Sequence, residues 1–387
     1  MKKIKVLFID INSIHKSYQQ TKCSEMARYD DTELLVLVPE SWKHINTMVY
    51  NNDTDYGRFK VITGKTIFRD YSHRFIYRTR LFGALKDFKP DIIHTEQEPF
   101  SLLSLQILFF KSILCPKAKL IVRASSAGEK FGYKFPFLYN LINSIILKNV
   151  DSVHVINKDA KDWLTKKNFP KDITIVPHGT DISRCKKLDV TNMKKDLKLS
   201  NFTIGYVGRL VVWKGVEVLL KAVSQLKDEY KVLIVGDGPL RFDLESTAKR
   251  LNILDKVVFI NTVPLEVIVL YLNCMDVLVL PSITMENVRE KFGLVLIEAM
   301  ACEVPVIGSD CGGIPDVIGD AGLIFKEKDV DDLRSKIELV MKDEELRTKM
   351  SAAGHRRILD NFTWQRVARD YHDMYLALMA KEKKDTA

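Results

Sequence analysis

Two glutamates, Glu290 and Glu298, are separated by seven residues. The residues between them include, in order, Phe292, Gly293 and Leu294. The apolar run Val277–Leu280 before them predicts a buried parallel strand, and a helix is predicted from Leu294 to about Cys302. A helix that begins after Gly293 presents free backbone N–H groups and the positive end of its dipole, where a phosphate would bind. The two carboxylates would lie beside that phosphate, which suits the vicinal hydroxyls of sugars attached to it.

Arg209 and Lys214 form a second pair that suits a phosphate group. Arg209 follows the predicted strand Phe202–Val207, and Lys214 precedes Gly215 at the expected start of the next helix. Ligands of open α/β sheets bind at the carboxyl ends of the strands. Two cations there can neutralise the charge that develops on a departing diphosphate. Taken alone, such a pair would be better interpreted as surface residues of a loop.

These two groups of residues together resemble glycosyltransferase family 4. The features that carry the resemblance are the Glu290–Glu298 spacing, Pro281-Ser282, the segment FGLVLIEAMA, Pro305-Val306, Cys311-Gly312-Gly313, and Arg209-Leu210 followed by Lys214-Gly215. The resemblance covers the second half of the chain strongly, and the first half only at 89–94, 147–152 and 177–181. Members of the family are retaining, nucleotide-sugar-dependent enzymes. The resemblance implies an α/β chain with two Rossmann-like domains that face each other across a cleft, the GT-B fold.

The resemblance also implies roles for individual residues. Arg209 and Lys214 would bind the diphosphate, Glu290 would face the transferred sugar, and Glu298 would hold the ribose. Catalysis is thereby assigned to Glu290, Arg209 and Lys214. The loop at Gly236-Asp237 would lie near the base, although most isolated G-x-G turns only connect elements. The remaining donor-binding residues are Phe292, Gly293 and Leu294.

No cofactor or metal ion is expected, because two protein cations already face the diphosphate and no carboxylate cluster typical of magnesium sites is evident. The substrate would be a nucleoside-diphosphate sugar, linked to UDP or GDP.

Two features allow a purely structural interpretation. On the structural interpretation, Glu298 is an exposed carboxylate on the surface of a helix. Its apolar neighbours, however, predict that this helix is largely buried. A buried carboxylate without a partner is strongly unfavourable, which favours a ligand. The Gly312-Gly313 turn either only reverses the chain or brings a second stretch of backbone to the sugar phosphate.

The chain of 387 residues is long enough for two domains. Alternating strand and helix patterns predict parallel sheets covered by helices. We expect an acceptor-binding Rossmann-like domain at 1–182, a polar linker at 183–200 and a donor-binding domain at 201–361. The family implies that 362–387 is a helix and tail that cross back to the first domain.

The composition, 46% hydrophobic and 28% charged, is typical of a soluble globular protein. No apolar run approaches the length of a membrane span, so no transmembrane helix is expected. The N-terminus begins like a signal peptide, but Asp10 interrupts it and it is better interpreted as a first strand. The six cysteines lack metal-ligand spacing, which favours a reduced, cytoplasmic protein without structural zinc.

The net charge of +9 is concentrated in the first half, where residues 1–190 hold 31 Lys and Arg against 20 Asp and Glu. An anionic membrane surface, nucleic acid or an acidic substrate would each fit this charge. Arginines and aromatics alternate over 68–80, which suits lipid or a phosphorylated or lipid-linked acceptor; a solvated helix is an equally good interpretation. No RNA-binding signature supports nucleic acid. The expected location is the cytoplasm. A peripheral position at the inner face of the membrane is the alternative that this charge allows.

The first domain departs from the family pattern in two places. The loop 12–16 has no glycine pair, and Arg123 to Gly128 stands where many members carry a histidine. His94, Glu96 and Arg123 lie at strand ends and are the candidate acceptor residues. A lone histidine at a strand end is, however, more often a structural hydrogen-bonding group.

The resemblance thus implies a retaining glycosyltransferase of the hexosyltransferase type, which we expect to be metal-independent. It would move a hexose-type sugar to a saccharide, lipid-linked or other cell-envelope-type acceptor. One alternative is a sugar-nucleotide epimerase of related fold, which would need further acid and base groups. Another is a non-catalytic scaffold that binds a nucleotide sugar or a membrane. The presence of Arg209, Lys214, Glu290 and Glu298 together argues against the scaffold.

Overall fold

The computed structural model describes residues 3–44, 47–68, 73–125, 136–199 and 202–385. The strands are β1 Ile4–Ile9, β2 Thr32–Pro39, β3 Ser41–His44, β4 Thr47–Tyr50, β5 Thr54–Asp55, β6 Phe59–Gly64, β7 Thr66–Ile67, β8 Ile76–Tyr77, β9 Ile92–Thr95, β10 Lys119–Arg123, β11 Ser152–Val155, β12 Asp172–Ile175, β13 Phe202–Val207, β14 Tyr230–Val235, β15 Val257–Ile260, β16 Val277–Leu280, β17 Val306–Ser309 and β18 Leu323–Phe325.

The α-helices are α1 Lys16–Tyr18, α2 Ser24–Met26, α3 Leu81–Gly83, α4 Leu102–Leu114, α5 Pro136–Asn149, α6 Lys158–Lys166, α7 Thr191–Asp196, α8 Val216–Val223, α9 Arg241–Arg250, α10 Leu265–Asn273, α11 Leu294–Ala301, α12 Ile314–Ile318, α13 Val330–Lys342, α14 Glu344–Asn361 and α15 Trp364–Asp385. Gln19–Cys23 and Ala84–Phe88 are π-helical, and Asn12–Ile14, Val212–Lys214 and Leu254–Lys256 are 3₁₀ turns. In the described part of the chain, no helix combines the length and hydropathy needed to cross a bilayer. Part of the arginine-rich run 68–80, residues 69–72, lies outside the described residues, as do 126–128 of the segment after Arg123.

The chain divides into two compact units. Unit 1 comprises Met1–Pro177 and Trp364–Ala387, and unit 2 comprises His178–Thr363. The division therefore falls before the predicted linker 183–200, whose described residues belong to unit 2. The polar groups of this segment explain its placement, because the Leu188 N–H donates to Asn273 Oδ1 at 2.8 Å. The Lys194 ammonium also lies 3.3 Å from Asp276 Oδ1.

Unit 1 contains an eight-stranded sheet in the order β12-β11-β10-β9-β1-β2-β6-β5. All neighbouring strands are parallel except β5 and β6. Strand β6 was not predicted, because its buried residues, including Phe59 and Val61, form no continuous apolar run. It pairs in parallel with β2 and extends the sheet beyond the apolar runs that the sequence reveals.

Helix α15 completes the hydrophobic core of unit 1. Its buried residues recur every three or four positions and are Trp364, Val367, Ala368, Tyr371, Met374, Tyr375 and Leu378. This spacing places them on one helical face. They pack with the side chains of β1 and β2, including Phe8 and Val36. The last helix of the chain is thus a structural part of unit 1.

Unit 1 also buries opposite charges at the carboxyl ends of its strands. The Lys22 ammonium lies 3.3 Å from Asp10 Oδ2 and 3.2 Å from Glu96 Oε1. On the other side, Arg123 Nη1 donates to Glu96 Oε2 at 3.2 Å. Ser13 Oγ donates to Asp10 Oδ2 at 2.8 Å. Burial is tolerated because each charge is paired and hydrogen-bonded.

Unit 2 contains a six-stranded sheet in the order β15-β14-β13-β16-β17-β18, with every neighbouring pair parallel. This is the strand order of a doubly wound, dinucleotide-binding sheet. The order reverses between β13 and β16, and ligands of such sheets bind beyond the carboxyl ends of the strands at that reversal. The predicted cations follow β13 and the predicted glutamates follow β16, so the topology brings their loops to the same edge.

Replacing Lys22 with Met should destabilise unit 1, because Asp10 would lose its ammonium partner while staying buried. We expect the free energy of unfolding in urea to fall by about 3–5 kcal/mol, the range for breaking a buried ion pair. The matched control is Lys60→Met, which removes an exposed lysine 3.3 Å from Asp55 Oδ2. It should cost about 0–1 kcal/mol. Equal losses in the two variants would contradict the structural role of the buried pair.

Candidate functional site

Lys214 and Glu290 are in direct contact. The Lys214 ammonium lies against Glu290 Oε2, and Ser282 Oγ donates to the same oxygen at 3.1 Å. Glu290 is only 8% exposed, so this pairing compensates a largely buried charge. Among the described residues, none donates a hydrogen bond to the other oxygen, Oε1. The carboxylate therefore has one oxygen fixed by the protein and one available to a ligand.

Gly215 allows the loop after β13 to approach the loop after β16. Its φ is +66°, and a Cβ at this position would lie 1.9 Å from the carbonyl oxygen of Pro281. The Ile283 N–H also donates to the Trp213 carbonyl at 2.8 Å. A side chain at Gly215 would separate the two loops. Gly215 therefore sets the distance at which Lys214 meets Glu290.

The Gly312-Gly313 turn holds the backbone of Glu290. A Cβ on Gly312, whose φ is +55°, would lie 2.0 Å from the Glu290 carbonyl oxygen. The Gly313 N–H donates to that same oxygen at 2.9 Å. The turn thus lies against the backbone of the segment that carries Glu290, and its approach to a sugar phosphate stays a prediction.

Arg209 is exposed and makes no ion pair with any described residue. Its backbone is fixed, because the buried Tyr206 hydroxyl donates to the Arg209 carbonyl at 2.9 Å. Burial, together with the charge of Glu290, raises the pKa of Tyr206 and keeps this donor protonated. The Leu210 N–H donates to the Asp237 carbonyl at 3.0 Å, which joins this loop to the predicted Gly236-Asp237 loop. The guanidinium is thus free for a ligand on a well-anchored backbone.

Gly293 lies directly before α11 and has a φ of +81°. The preceding Phe292 is 4% exposed, and its ring packs 5.2 Å from His178 and 5.8 Å from Phe362 between ring centroids. The ring of Phe292 is therefore part of the core of unit 2, and donor binding by this residue stays a prediction. Leu294, by contrast, is 42% exposed at the first position of the helix.

Glu298 has a partner within the protein. Arg184 Nη2 lies 3.5 Å from Glu298 Oε1, and both side chains are largely buried. Burial raises the pKa of Glu298 to about 7, and the Arg184 charge acts in the opposite direction. The inference that this buried carboxylate needs a ligand as its partner was therefore wrong. Sequence reasoning missed Arg184 because it lies in the polar segment that resembled a linker.

The candidate acceptor residues of unit 1 differ in their exposure. His94 is fully buried and Glu96 is 2% exposed. The Tyr371 hydroxyl donates to Glu96 Oε1 at 2.7 Å, and the Tyr375 hydroxyl lies 2.6 Å from His94 Nδ1. In the described structure, His94 and Glu96 thus belong to the core, which corrects their predicted position on an acceptor surface. Arg123, whose side chain is 19% exposed, is the accessible member of the three.

His94, Glu96 and His154 lie close enough for their ligand atoms to meet around a metal ion, all within 4.8 Å of one another. Burial lowers the pKa of His94 well below its usual value and that of His154 to about 4, so both rings are neutral. The Glu96 carboxylate, however, already has Lys22 and Arg123 as partners. Two cations at the same carboxylate disfavour a third, so this group is better described as an internal polar network.

Comparisons with known proteins agree with the fold. Residues 190–357 match the family model described as glycosyl transferases group 1. An uncharacterized glycosyltransferase of Methanocaldococcus jannaschii is 26% identical over 352 residues, which cover 87% of this chain and 86% of the relative. The N-acetyl-alpha-D-glucosaminyl L-malate synthase of Bacillus anthracis is 31% identical over 250 residues, which cover 63% of this chain and 61% of that enzyme.

Among solved structures, Anabaena HepE in complex with UDP superposes with a TM-score of 0.71 at 16% identity. The match covers 97% of this chain and 100% of that chain, and it shows a shared fold. The family match, the relatives and the two parallel α/β sheets together support the assignment of this chain as a glycosyltransferase with the GT-B fold.

Proposed function

We propose that the protein is a retaining glycosyltransferase of family 4 that moves a hexose-type sugar from a nucleoside diphosphate to an acceptor. The observation that carries this proposal is the contact between Lys214 and Glu290 at the strand reversal of unit 2. It pairs a cation suited to phosphate with a carboxylate suited to sugar hydroxyls. A site for phosphate alone would not need the carboxylate.

The leaving diphosphate is stabilised by three sources of positive potential. Arg209 supplies a guanidinium that pairs with no carboxylate in the described part of the chain, and Lys214 supplies an ammonium that the diphosphate shares with Glu290. The N–H groups at the start of α11 supply the third. Such groups act most strongly on charge that develops as the leaving group departs. The proposal therefore assigns the diphosphate to protein groups and requires no divalent metal.

Glu290 orients the sugar rather than attacking it. Its Oε2 is already bound by Lys214 and Ser282, which compensates the charge that a nucleophile would use. Its Oε1 accepts from the hydroxyls of the sugar. The diphosphate then departs and the acceptor attacks on the same face, which retains the anomeric configuration. Glu298 accepts hydrogen bonds from the ribose.

The donor is proposed to be linked to UDP or GDP. The HepE structure contains UDP, which supports the uridine nucleotide for a protein of this fold. The acceptor is a saccharide, a lipid-linked or another cell-envelope-type molecule. The accessible Arg123 of unit 1 is proposed to contact it.

A peripheral membrane position is the second part of the proposal. Helices α4 and α5 of unit 1 contain no acidic residue. They expose apolar side chains, among which Phe137 is 78% exposed. The others are Phe109, Ile113, Leu138 and Leu141. Together with the excess of Lys and Arg in residues 1–190, this composition suits an anionic lipid surface at the cytoplasmic face.

Replacing Lys214 with Ala should lower turnover by a factor on the order of a hundred, the scale for one electrostatic contact to a developing charge. The measurement is product formation from the nucleotide sugar in excess EDTA. If the sugar is instead epimerised while it remains on the nucleotide, the protein is an epimerase. The matched control is Lys221→Ala, which removes an exposed lysine of α8 that pairs with Glu217 at 2.8 Å. Wild-type turnover in Lys214→Ala would contradict the assignment of Lys214 to the diphosphate. A strict requirement for Mg²⁺ would contradict the proposal that the reaction needs no metal ion.

The two glutamates should differ in calorimetric titrations with UDP or GDP. Glu298→Ala should weaken binding by about 1.5–3 kcal/mol, the value for hydrogen bonds to a charged group. Glu290→Ala should leave nucleotide affinity nearly unchanged but abolish most of the transfer, because its partner is the sugar. Glu286→Ala, at an exposed carboxylate of the same loop, is the control. Equal losses of affinity in both variants would reject this division of roles.

The full-length protein should sediment with phosphatidylglycerol vesicles at low ionic strength and be released by roughly 0.5 M salt, where screening is nearly complete over a few ångströms. Phosphatidylcholine vesicles are the control for charge, and Phe137→Ser should weaken the binding. Absence of co-sedimentation at low salt would leave a soluble anionic acceptor as the explanation of the basic first half.

A further inference from the structure

We propose that Arg184 is a positioning residue for the nucleotide: it orients the Glu298 carboxylate and favours its ionised form, so that both ribose hydroxyls can donate to it. This inference rests on the proposed function, in which Glu298 binds the ribose. Arg184 itself need not touch the nucleotide.

The geometry fixes the guanidinium from two sides. Arg184 Nη1 donates to the Leu265 carbonyl at 3.2 Å, and Nη2 lies 3.5 Å from Glu298 Oε1. The side chains of Arg184 and Glu298 are 23% and 16% exposed, so the pair is only weakly screened by water. Because the carbonyl of Leu265 orients the planar guanidinium, the position of Nη2 relative to the carboxylate is set by the backbone of α10.

The segment that carries Arg184 is itself anchored to unit 2. The Cys185 N–H donates to the Asp181 carbonyl at 2.7 Å, which closes a turn directly around Arg184. The Asn273 amide forms hydrogen bonds with the residues that follow: its Nδ2 donates to the Lys186 carbonyl at 3.0 Å, and its Oδ1 accepts from the Leu188 N–H at 2.8 Å. Arg184 therefore approaches Glu298 from a fixed backbone.

The other titratable groups around Glu298 do not replace this cation. The thiols of Cys185 and Cys302 face the same region, and burial raises the pKa of both, so they are neutral. Asp181, beside Cys185, would add negative charge. Burial favours the protonated form of Glu298, and Arg184 is the charge that opposes it. Without Arg184, a larger fraction of the carboxyl would be protonated at neutral pH and could no longer accept from two hydroxyls.

The test compares the dissociation constants of UDP and 2′-deoxy-UDP by calorimetry, from about pH 6 to about pH 9, across the ionisation of Glu298. The two nucleotides titrate alike at their phosphates, so the ratio of their constants isolates the ribose contact. For the wild type, the preference for UDP should be largest above about pH 7 and fall up to tenfold per pH unit below it, because the ionised carboxylate is lost as the pH falls.

In Arg184→Gln the midpoint of this preference should move to higher pH, so that the preference at neutral pH drops several-fold and returns in part at about pH 9. Arg184→Lys keeps the charge and should stay closer to the wild type. Lys187→Gln is the matched control, because Lys187 is a neighbouring cation, 72% exposed, that pairs with Glu303 at 3.2 Å. It should leave the profile unchanged.

The possible failures are distinguishable. A wild type that binds UDP without any preference over 2′-deoxy-UDP would remove the ribose role of Glu298, and with it the proposed function at this residue. A preference that is independent of pH in the wild type, or one whose midpoint is the same in Arg184→Gln, would overturn the role of Arg184 alone. If Arg184→Gln does not fold, a wild-type preference that is independent of pH still overturns the role of Arg184. If Arg184→Gln loses the same affinity for both nucleotides at every pH, Arg184 binds the phosphates or only supports the fold.

Discussion

The contact between Lys214 and Glu290 is the interaction on which the arrangement of unit 2 depends. A largely buried carboxylate needs a counter-charge, and the lysine that provides it comes from the neighbouring loop. The two loops can approach only because Gly215 has no side chain against the Pro281 carbonyl. Gly312 allows a similar approach to the backbone of Glu290 itself. Three loops thus meet at the strand reversal, where we propose that the diphosphate binds.

Units 1 and 2 use buried charge differently. In unit 1, Lys22 pairs with Asp10 and Glu96 inside the core, the more accessible Arg123 also pairs with Glu96, and the Tyr371 hydroxyl of α15 donates to Glu96 as well. In unit 2, Arg209 is left without an ionic partner in the described structure, and Glu290 keeps one oxygen open. Charged groups that have no partner at the edge of a sheet are available to bind a charged ligand. This contrast supports donor binding by unit 2.

The sequence predicted the central strands of both sheets well, because buried parallel strands are short apolar runs bounded by polar residues. Strands β13 and β16 match their predicted bounds, whereas β6 was missed because its buried residues form no continuous apolar run. The paired cations and glutamates were recognisable from their spacing. The Arg184–Glu298 contact was not, because it joins segments far apart in the chain and one of them is polar enough to resemble a linker. Likewise, the burial of His94 depends on tyrosines of α15, which no local pattern around His94 could reveal.

A crystal structure of the protein with a bound nucleoside diphosphate tests the central claim most directly. It should place phosphate oxygens within about 2.7–3.2 Å of Lys214 Nζ and the Arg209 guanidinium, the usual range for such hydrogen bonds. The ribose should lie on Glu298, and Lys214 should remain beside Glu290. A diphosphate bound elsewhere, with Arg209 and Lys214 both free of phosphate, would contradict the assignment of this site.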